Sequence, residues 1–396
     1  MSDLIKLGQN AQKAKYALAK CTSSQIDKAL VNIAQALMDN SKSIIEKNAI
    51  DLDNGVKKGM HAGLLDRLKL DEKRIGQMAQ GLKEIAELKT PVGEVIETWE
   101  RPNGLNFRKT RVPIGVIGII YESRPNVTAD AFGLCFKTQN AVILKGGSDA
   151  INSNKVICDI IREALSKENI DPNAVSLIES TDREVTKEFM HMNKFVDVLI
   201  PRGGAGLIQS VVKESSIPVI ETGTGNCHIY VDETADIDMA VKIIDNAKTQ
   251  RIGVCNACES LVIHRKALEP LMEKLKVLFK EKHVELRGDE AVVNADSDAI
   301  KATEEDFGKE YLDYIISGKT VDDIDEAIEH INRYNTGHSE CIVTRDMKNA
   351  EKFLNEVDAA CVYVNASTRF SDGGEFGFGA EIGISTQKLH ARGPMG

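Results

Sequence analysis

Several features are missing from the sequence, and each absence excludes a class of protein. No apolar run approaches the roughly 18 residues that a membrane-spanning helix needs. Residues 1–6 lack the basic and apolar regions of a signal peptide. Positive charge is not in excess, because 60 acidic residues outnumber 50 basic ones and give a net charge of −10. We therefore expect a cytoplasmic protein whose main partner is neither nucleic acid nor an anionic membrane.

The sequence also lacks a closely spaced cysteine framework, internal repeats and low-complexity tracts. Its eight cysteines are scattered over 396 residues, at positions 21, 135, 158, 227, 255, 258, 341 and 361. This distribution suits free thiols in a reducing compartment better than disulfides. A chain of this length, with 42% hydrophobic and 28% charged residues, is expected to form two globular domains.

The N-terminal quarter of the sequence has helical patterns followed by a hairpin pattern. Residues 1–90 have apolar side chains at helical spacing, and they predict a layer of helices. Residues 93–111 contain strand-forming side chains on both sides of the turn Pro102-Asn-Gly104, which predicts a β-hairpin. The predicted helices start near Thr22, Ser41 and Asp71.

From residue 112 onward, strand patterns alternate with helical ones. Residues 112–120 form a nearly continuous apolar run, as expected of a strand that is buried on both faces. This alternation predicts a parallel, doubly wound sheet, whose ligands lie at the carboxyl ends of its strands. Further strands are predicted at 141–144, 175–178, 196–200, 217–220, 228–231, 261–263 and 340–343.

Two glycine-rich segments each follow a predicted strand and precede a helix. They are Lys145-Gly-Gly-Ser148 and Arg202-Gly-Gly-Ala-Gly206. Glycines in this position let backbone amides approach a phosphate, and the N-terminus of the following helix favours an anion. For either segment alone, a tight turn between strand and helix is the alternative. Two such segments in succession favour a dinucleotide site.

Cys255 and Cys258 form a C-x-x-C pair between a predicted helix and an apolar run. The pair is compatible with a redox couple, with a zinc site completed by Cys227-His228, or with buried, inert thiols. Gly253 and the polar Asn256 instead suggest an exposed loop. Because such a loop can present a thiol to a cleft, we predict that Cys255 is a covalent nucleophile.

Three further polar groups are candidates for function. Glu221 precedes a Thr-Gly-Thr-Gly stretch and could act as a general base, position a ribose, or be an ordinary loop acid. Asn126 follows the first parallel strand and could donate its amide to an oxyanion or lie in a polar turn. Arg369 lies among the hydroxyls and glycines of residues 365–374, where it could bind a carboxylate or phosphate or belong to a plain surface loop.

Several long strings of the sequence are more specific than these short patterns. They are Val112-Pro-Ile-Gly-Val-Ile-Gly-Ile-Ile-Tyr-Glu-Ser-Arg-Pro-Asn-Val-Thr128, Pro201-Arg-Gly-Gly-Ala-Gly206, Ile220-Glu-Thr-Gly-Thr-Gly-Asn-Cys-His228, Val364-Asn-Ala-Ser-Thr-Arg369, Gly373-Gly-Glu-Phe-Gly-Phe-Gly379 and Ala391-Arg-Gly-Pro-Met395. Together they resemble the aldehyde dehydrogenase superfamily over nearly the whole chain, and within it the branch that reduces an acyl phosphate of glutamate. The resemblance implies an α/β fold with a doubly wound, Rossmann-like cofactor domain, an α/β catalytic domain and a small β oligomerisation arm.

The same resemblance implies how the chain is divided. The implied parts are an NADP-binding domain at 1–92 and 112–225 with a late return near 358–375, a catalytic domain at 226–357, and an oligomerisation arm at 93–111 and 376–396. From the resemblance alone, we also expect about twenty residues beyond Gly396.

The resemblance also implies roles for individual residues. Cys255 would form a thioester, Asn126 would hold the oxyanion, and Glu221, 34 positions before Cys255, matches the superfamily's active-site glutamate. The residues implied to bind the cofactor are Lys145 and Ser148 at the adenosine ribose and its 2′-phosphate, Gly203 and Gly204 at the pyrophosphate, and Glu305 at the nicotinamide ribose. Those implied to bind the substrate are Arg124, Asn365, Ser367, Thr368 and Arg369.

The implied reaction is the NADPH-dependent reduction of L-glutamyl 5-phosphate to L-glutamate 5-semialdehyde with release of phosphate, the second step of proline biosynthesis from glutamate. The implied cofactor is NADP(H), with no metal. The implied protein partners are further copies of the chain, in a homodimer or homotetramer, and the upstream glutamate kinase. Two alternatives stay open, namely a hydrolytic NAD(P)-dependent aldehyde dehydrogenase and a zinc-stabilised scaffold without enzymatic activity.

Overall fold

The structure is a computed structural model that describes residues 3–122 and 124–388. The chain divides into two compact units. The first unit comprises the chain as far as Glu221 together with Phe378–Gly383, and the second comprises Thr222–Gly377 and the residues from Ile384 on. The sequence placed this boundary at residue 225, four residues later.

The first unit begins with a layer of helices. Thr22 caps the start of the second helix with a capping box. Its hydroxyl accepts a hydrogen bond from the backbone amide of Gln25, and the side-chain oxygen of Gln25 accepts one from the backbone amide of Thr22. Asp71 caps the fifth helix in a similar way through the amide of Arg74. The helices predicted from Thr22, Ser41 and Asp71 are confirmed. The helices of this layer are α1 Asp3–Leu18, α2 Ser23–Asp39, α3 Ser41–Lys57, α4 Ala62–Leu68 and α5 Glu72–Glu87.

A parallel sheet follows in the same unit, with strands in the order β5 Val175–Leu177, β4 Ala141–Gly146, β3 Val116–Tyr121 and β6 Val198–Arg202. Strands β3 and β4 are buried along their whole length, which explains their continuous apolar runs. The strand order reverses between β3 and β6, and such a switch point is where ligands of doubly wound sheets bind. After a hairpin of β1 Val95–Glu100 and β2 Asn106–Thr110, the elements are β3 Val116–Tyr121, α6 Asn126–Lys137, β4 Ala141–Gly146, α7 Ile151–Lys167, β5 Val175–Leu177, α8 Arg183–Met190, β6 Val198–Arg202 and α9 Ala205–Glu214.

One predicted strand, at residues 217–220, is wrong. The segment runs beside β6 but forms only a single bridge there, between Val219 and Leu199. Pro218 lacks an amide hydrogen and therefore cannot donate to a strand ladder. Glu221 accordingly follows an extended segment and does not end a strand.

The predicted hairpin at residues 93–111 is confirmed as a structure. Strands β1 and β2 pair antiparallel, and Trp99 lies opposite Phe107. The two rings stack with centroids 5.2 Å apart although both side chains are exposed. Within the described part of the chain the hairpin forms a sheet of two strands only.

Within the described residues, the second unit contains a parallel sheet of seven strands. Their order is β10 Ile300–Lys301, β9 Glu285–Gly288, β11 Ile315–Val321, β8 Cys258–His264, β7 Cys227–Val231, β12 Ser339–Val343 and β13 Cys361–Val364. Alternate residues of its central strands face two separate cores, as the period of a strand requires. Ile229 and Leu261 pack in one core, whereas Tyr230 and Val262 pack in the other. The elements are β7 Cys227–Val231, α10 Ile237–Thr249, β8 Cys258–His264, α11 Arg265–Lys282, β9 Glu285–Gly288, α12 Glu290–Ala295, β10 Ile300–Lys301, α13 Glu304–Phe307, β11 Ile315–Val321, α14 Ile324–Tyr334, β12 Ser339–Val343, α15 Met347–Glu356 and β13 Cys361–Val364.

The predicted late return to the first unit near residues 358–375 is corrected. Strand β13 lies within that range, but it pairs with β12 in the sheet of the second unit. The chain returns later, at Phe378–Gly383, where Ala380 and Ile382 pack on the core of the first unit. Of the predicted arm at 376–396, residues 389–396 lie outside the described residues.

Two expectations from composition can be compared with the structure. All eight cysteines are free thiols, as their scattered positions predicted. No helix in the ranges 3–122 and 124–388 is both long and apolar enough to cross a membrane.

Candidate active site

Cys255 lies in the loop between α10 and β8 of the second unit. Its side chain is partly exposed, whereas Cys258, the first residue of β8, is fully buried. Burial raises the pKa of the Cys258 thiol far above its ordinary value. Because a thiol reacts as its thiolate, Cys255 is the better nucleophile of the two.

The backbone of Cys255 is held by the residues that lead into β7. The carbonyl oxygen of Cys255 accepts a hydrogen bond of 3.2 Å from the buried Cys227 thiol. Gly225 passes so close to this carbonyl that a Cβ built on it would lie 1.4 Å from the oxygen. Only glycine fits a backbone approach of this kind, so Gly225 helps to fix where Cys255 presents its side chain.

The segment around Arg369 is tied to the residue that follows Cys255. Asn256 is buried, and its amide nitrogen donates to the carbonyl oxygen of Ser371 at 2.9 Å. The Arg369 guanidinium donates to the side-chain oxygens of Asn256 and Gln250. Thr368 donates through its hydroxyl to the Asn256 carbonyl at 2.8 Å. Gly253 is exposed, as expected of the loop, but Asn256 is not, because tertiary hydrogen bonds satisfy its polar atoms in the interior.

Two other residues predicted to bind substrate have structural hydrogen bonds in the same segment. The Asn365 side chain donates to the carbonyl of Thr344 at 2.9 Å and accepts from its amide at 3.0 Å. Asn365 also has a positive φ of 56°, which asparagine tolerates better than most residues. The Ser367 hydroxyl accepts from the Arg369 amide at 3.2 Å. Both side chains thus hold the shape of the loop that carries Arg369.

His338 contacts the Cys255 thiol, and the sequence did not single it out. Its Nε2 atom lies 3.1 Å from Cys255 Sγ, and its Nδ1 atom lies 2.7 Å from the hydroxyl of Ser339. The ring is fully buried, and this burial lowers the pKa of His338 to about 4. The imidazole is therefore neutral at pH 7. Its only signal in the sequence is a polar turn before a predicted strand, 83 positions from Cys255.

In the first unit, the two glycine-rich segments follow β4 and β6 as predicted. At the switch point between β3 and β6, the amide of Gly204 donates to the carboxylate of Glu122 at 2.9 Å. This amide, one residue before α9, thus donates a hydrogen bond to an anionic group. A site for a cofactor phosphate requires donors of the same kind. A Cβ on Gly203 would lie 2.5 Å from the same carboxylate, so the turn is narrow.

The other predicted cofactor residues are placed as follows. Lys145 is buried at the end of β4, where its ammonium group donates to the Gly146 carbonyl at 3.0 Å. Burial lowers the pKa of Lys145. Ser148 is exposed at the start of a short 3₁₀-helix, Ser148–Ala150. Glu305 is exposed on α13 of the second unit.

The three remaining predicted residues also belong to the first unit, whereas Cys255 belongs to the second. Asn126 is the first residue of α6, and its amide nitrogen donates to the Asp130 carboxylate at 2.9 Å. Burial raises the pKa of Asp130 to about 6. Arg124 is exposed, and Glu221 is partly buried at the unit boundary.

The four residues of the alternative zinc site are not arranged as metal ligands. Among residues 3–122 and 124–388, no group of three or more His, Cys, Asp or Glu side chains has a geometry that could hold a metal ion. The buried thiols of Cys227 and Cys258 donate to the backbone carbonyls of Cys255 and Ser260 instead.

Comparisons with known proteins extend over the whole chain. The aldehyde dehydrogenase family matches residues 2–302 and 291–381. The γ-glutamyl phosphate reductase of Lachnospira eligens is 61% identical over 396 residues, covering 100% of this chain and 95% of the relative, and that of Clostridium botulinum is 57% identical with coverages of 100% and 96%. The crystal structure of γ-glutamyl phosphate reductase from Thermotoga maritima superposes with a TM-score of 0.96 at 49% identity, covering 100% of this chain and 95% of that one. With agreement of this extent, the chain belongs to the aldehyde dehydrogenase family and, within it, to the γ-glutamyl phosphate reductases.

Proposed function

We propose that the chain reduces L-glutamyl 5-phosphate to L-glutamate 5-semialdehyde, with NADPH as reductant and phosphate as the second product. This is the second step of proline biosynthesis from glutamate. The observation that carries the proposal is the 61% identity over the whole chain to the γ-glutamyl phosphate reductase of Lachnospira eligens. A partly exposed thiol with a neutral imidazole 3.1 Å from its sulfur is a suitable nucleophile for this chemistry.

In the proposed reaction, the Cys255 sulfur attacks the acyl carbon of the substrate. A bond forms between sulfur and carbon, the bond from that carbon to the phosphate oxygen breaks, and phosphate leaves with a thioester remaining on the enzyme. The oxyanion of the tetrahedral intermediate is proposed to accept hydrogen bonds from the Asn126 side chain and the Cys255 amide. Glu221 is proposed to orient groups in the site, because this reaction requires no hydrolytic water.

The residues proposed to hold NADP(H) are Lys145, Ser148, Gly203, Gly204 and Glu305. When bound, the reduced nicotinamide supplies a hydride to the acyl carbon, which releases the aldehyde. The amide of Gly204, which already binds a carboxylate, supports a phosphate at this position. The Lys145 ammonium group, proposed to lie at the adenosine ribose and its 2′-phosphate, supplies positive charge there, although it lacks the planar fork of an arginine.

The substrate is proposed to bind at Arg124, Asn365, Ser367, Thr368 and Arg369. Arg369 is the strongest of these candidates, because its guanidinium is hydrogen-bonded to Asn256, the residue that follows Cys255. Planar guanidinium groups suit carboxylates and phosphates, both of which the substrate contains. Asn365, Ser367 and Thr368 support the proposal by shaping the loop that carries Arg369.

The hairpin at 93–111 and residues 376–396 are proposed to assemble copies of the chain into a homodimer or homotetramer. The exposed, stacked rings of Trp99 and Phe107 support this role, because aromatic residues are enriched at protein interfaces. The upstream glutamate kinase is a proposed further partner, and the cytoplasm is the proposed location.

The reaction is tested in reverse, by measuring NADP⁺ reduction with L-glutamate 5-semialdehyde in the presence and absence of inorganic phosphate. Strict dependence on phosphate is expected, because phosphate must take the acyl group from Cys255. Turnover to glutamate without phosphate would indicate a hydrolytic aldehyde dehydrogenase and would overturn the proposal. Replacing NADP⁺ with NAD⁺ in the same assay measures the cofactor preference.

Cys255→Ala and Cys258→Ala form a matched pair for the nucleophile. We expect Cys255→Ala to lower the turnover number by on the order of 10⁴-fold, as is usual for loss of a covalent nucleophile. Cys258→Ala should keep turnover within about twofold and lose about 1 kcal/mol of stability, because it removes only a small buried group. Equal inactivation of both folded variants would favour a dithiol mechanism instead.

A further inference from the structure

The two ring nitrogens of His338 have different partners, and together these partners fix the ring. Nε2 lies 3.1 Å from Cys255 Sγ, and Nδ1 lies 2.7 Å from Ser339 Oγ and 3.8 Å from Cys227 Sγ. The side chain is fully buried at the start of β12, where β7 and β8 also begin. A nucleophile, a base within hydrogen-bond distance and a third group that orients the base form the arrangement that activates nucleophiles in many enzymes.

The hydrogen bonds continue beyond Ser339. Its hydroxyl lies 2.6 Å from the Ser371 hydroxyl, which in turn lies 2.8 Å from the phenol of Tyr363. Every one of these hydroxyls can donate and accept at the same time. With Nδ1 donating to Ser339, each hydroxyl can donate to the next one outward, and this tautomer leaves Nε2 free to accept the thiol proton. Tyr363 is partly exposed, so the chain runs from a buried ring to a residue that reaches the surface.

We propose that His338 is the catalytic proton partner of Cys255, and that Ser339, Ser371 and Tyr363 are positioning residues that set its tautomer. In the acylation step, the proton on Cys255 Sγ moves to Nε2 as the bond from sulfur to the acyl carbon forms. As the bond from carbon to oxygen breaks, the same proton leaves on the phosphate. When the aldehyde is released, the Cys255 thiolate regains a proton from water. The identity of the acyl phosphate substrate rests on the proposed function, whereas the pairing of His338 with Cys255 does not.

The electrostatics of the pocket indicate when the proton moves. Burial lowers the pKa of His338 to about 4, so a free imidazolium is unfavourable there and the resting pair is a thiol with a neutral imidazole. The titratable side chains that contact the ring are those of Cys255 and Cys227. A hydrogen-bond chain through Ser339 and Ser371 connects the ring to a third titratable group, Tyr363. Burial raises the pKa of Cys227 well above its ordinary range and that of Tyr363 to about 12, so both stay protonated at neutral pH. Proton transfer is therefore expected together with attack and not before it.

The alternative is that His338 is a packing residue whose polar atoms are merely satisfied. The two roles differ in the reactivity of the thiol, which can be measured on the full-length enzyme without substrate or cofactor. The probe is iodoacetamide, and the readout is the rate of Cys255 alkylation, followed by mass spectrometry of its peptide between about pH 6 and 10. His338→Gln keeps a polar group of similar reach and removes the base. His330→Gln is the matched control, because His330 is a buried histidine on α14 whose pKa burial also lowers, to about 3.

In His338→Gln we expect alkylation at pH 7 to slow by about tenfold or more, and its pH dependence to move toward that of an ordinary thiol near pH 8.5. Turnover should fall by about 10²-fold to 10⁴-fold with little change in KM, the usual contribution of a general base. His330→Gln should leave the alkylation profile unchanged. Ser339→Ala should slow turnover by about tenfold through loss of orientation, with a smaller effect on alkylation.

An unchanged alkylation profile in folded His338→Gln would overturn the proposal. If His338→Gln does not fold, Ser339→Ala and Tyr363→Phe decide the matter, because both only remove a hydroxyl from the chain. Turnover in both within about twofold of the parent, with an unchanged pH profile, would equally overturn it. A shifted alkylation profile in an enzyme that does not reduce acyl phosphates would instead refute the proposed function and leave the pairing of His338 with Cys255 intact.

Discussion

The two parallel sheets present their candidate residues at opposite edges. In the first unit, Lys145 lies at the carboxyl end of β4 and Gly203 follows that of β6, each before a helix. In the second unit, Gly225, Cys255 and His338 precede the amino ends of β7, β8 and β12. The first edge exposes helix N-termini, whose amides bind anions without any side chain. The second edge follows helix C-termini such as that of α10, which do not offer free amides to an anion. Activation of the Cys255 sulfur by a side chain, as proposed for His338, would suit this edge.

This difference separates two ways of building a site. At the first edge, the groups proposed to bind the cofactor include backbone amides, so what matters is that glycine leaves room for the ligand. At the second edge, the groups proposed to react are side chains, so what matters is how firmly the backbone positions them. Substitutions of glycine at the two edges should therefore differ in their kinetic signature as well as in size.

Among the substitutions that compare the two edges, the largest effect is expected for Gly225→Ala. Its Cβ would lie 1.4 Å from the Cys255 carbonyl oxygen, and since the obstacle is backbone, the loop itself must move. A displacement of about 1 Å at the nucleophile should lower kcat/KM by about 100-fold, mostly through kcat. The control is Gly253→Ala in the same loop, where a Cβ meets nothing within 4 Å. The test is to compare the steady-state kinetics of the two variants. Equal activity would show that the close approach of Gly225 to the Cys255 carbonyl does not position the Cys255 side chain.

Much of the fold could be predicted from the sequence because its signals are local. The helix starts at Thr22 and Asp71 follow from caps a few residues away, and the buried runs of β3 and β4 follow from apolar composition. Strand β11 Ile315–Val321 was not predicted, because polar residues interrupt its apolar pattern. Its Ser317 and Lys319 are satisfied by distant partners, Ser260 and Asp289, which a local pattern cannot reveal.

The candidate site divides in the same way. Cys255 could be predicted from its loop and from resemblance, and the turn at Gly203 could be predicted from its glycines. His338 could not, because nothing near it in the chain distinguishes it, and its partner is 83 positions away. Asn256 was misplaced on an exposed loop, since its burial depends on hydrogen bonds to Arg369 and Ser371, more than 100 positions later.

A smaller effect is expected for Gly203→Ala at the first edge. Its Cβ would meet the Glu122 carboxylate at 2.5 Å, but this is the end of a flexible side chain that can move aside. The methyl group then narrows the turn, so the KM for NADPH should rise by about tenfold with kcat retained. Gly206→Ala on α9 is the control, because a Cβ there meets nothing within 4 Å. A loss in kcat at unchanged KM would place this turn in the chemistry instead of in cofactor binding.

The smallest effect, and the only gain, is expected for Glu122→Gln. The Glu122 carboxylate accepts a hydrogen bond from the Gly204 amide at 2.9 Å. A cofactor phosphate bound at this amide, as proposed, would have to displace the carboxylate and approach its negative charge. Removing that charge should tighten NADPH binding by about threefold to fivefold, the size of an exposed charge interaction, and the gain should shrink at high salt. Binding is measured by NADPH fluorescence titration. Glu214→Gln removes the same charge at the other end of α9, and it should leave the dissociation constant unchanged. Weaker binding in Glu122→Gln would mean that this carboxylate orders the turn for the cofactor and does not compete with it.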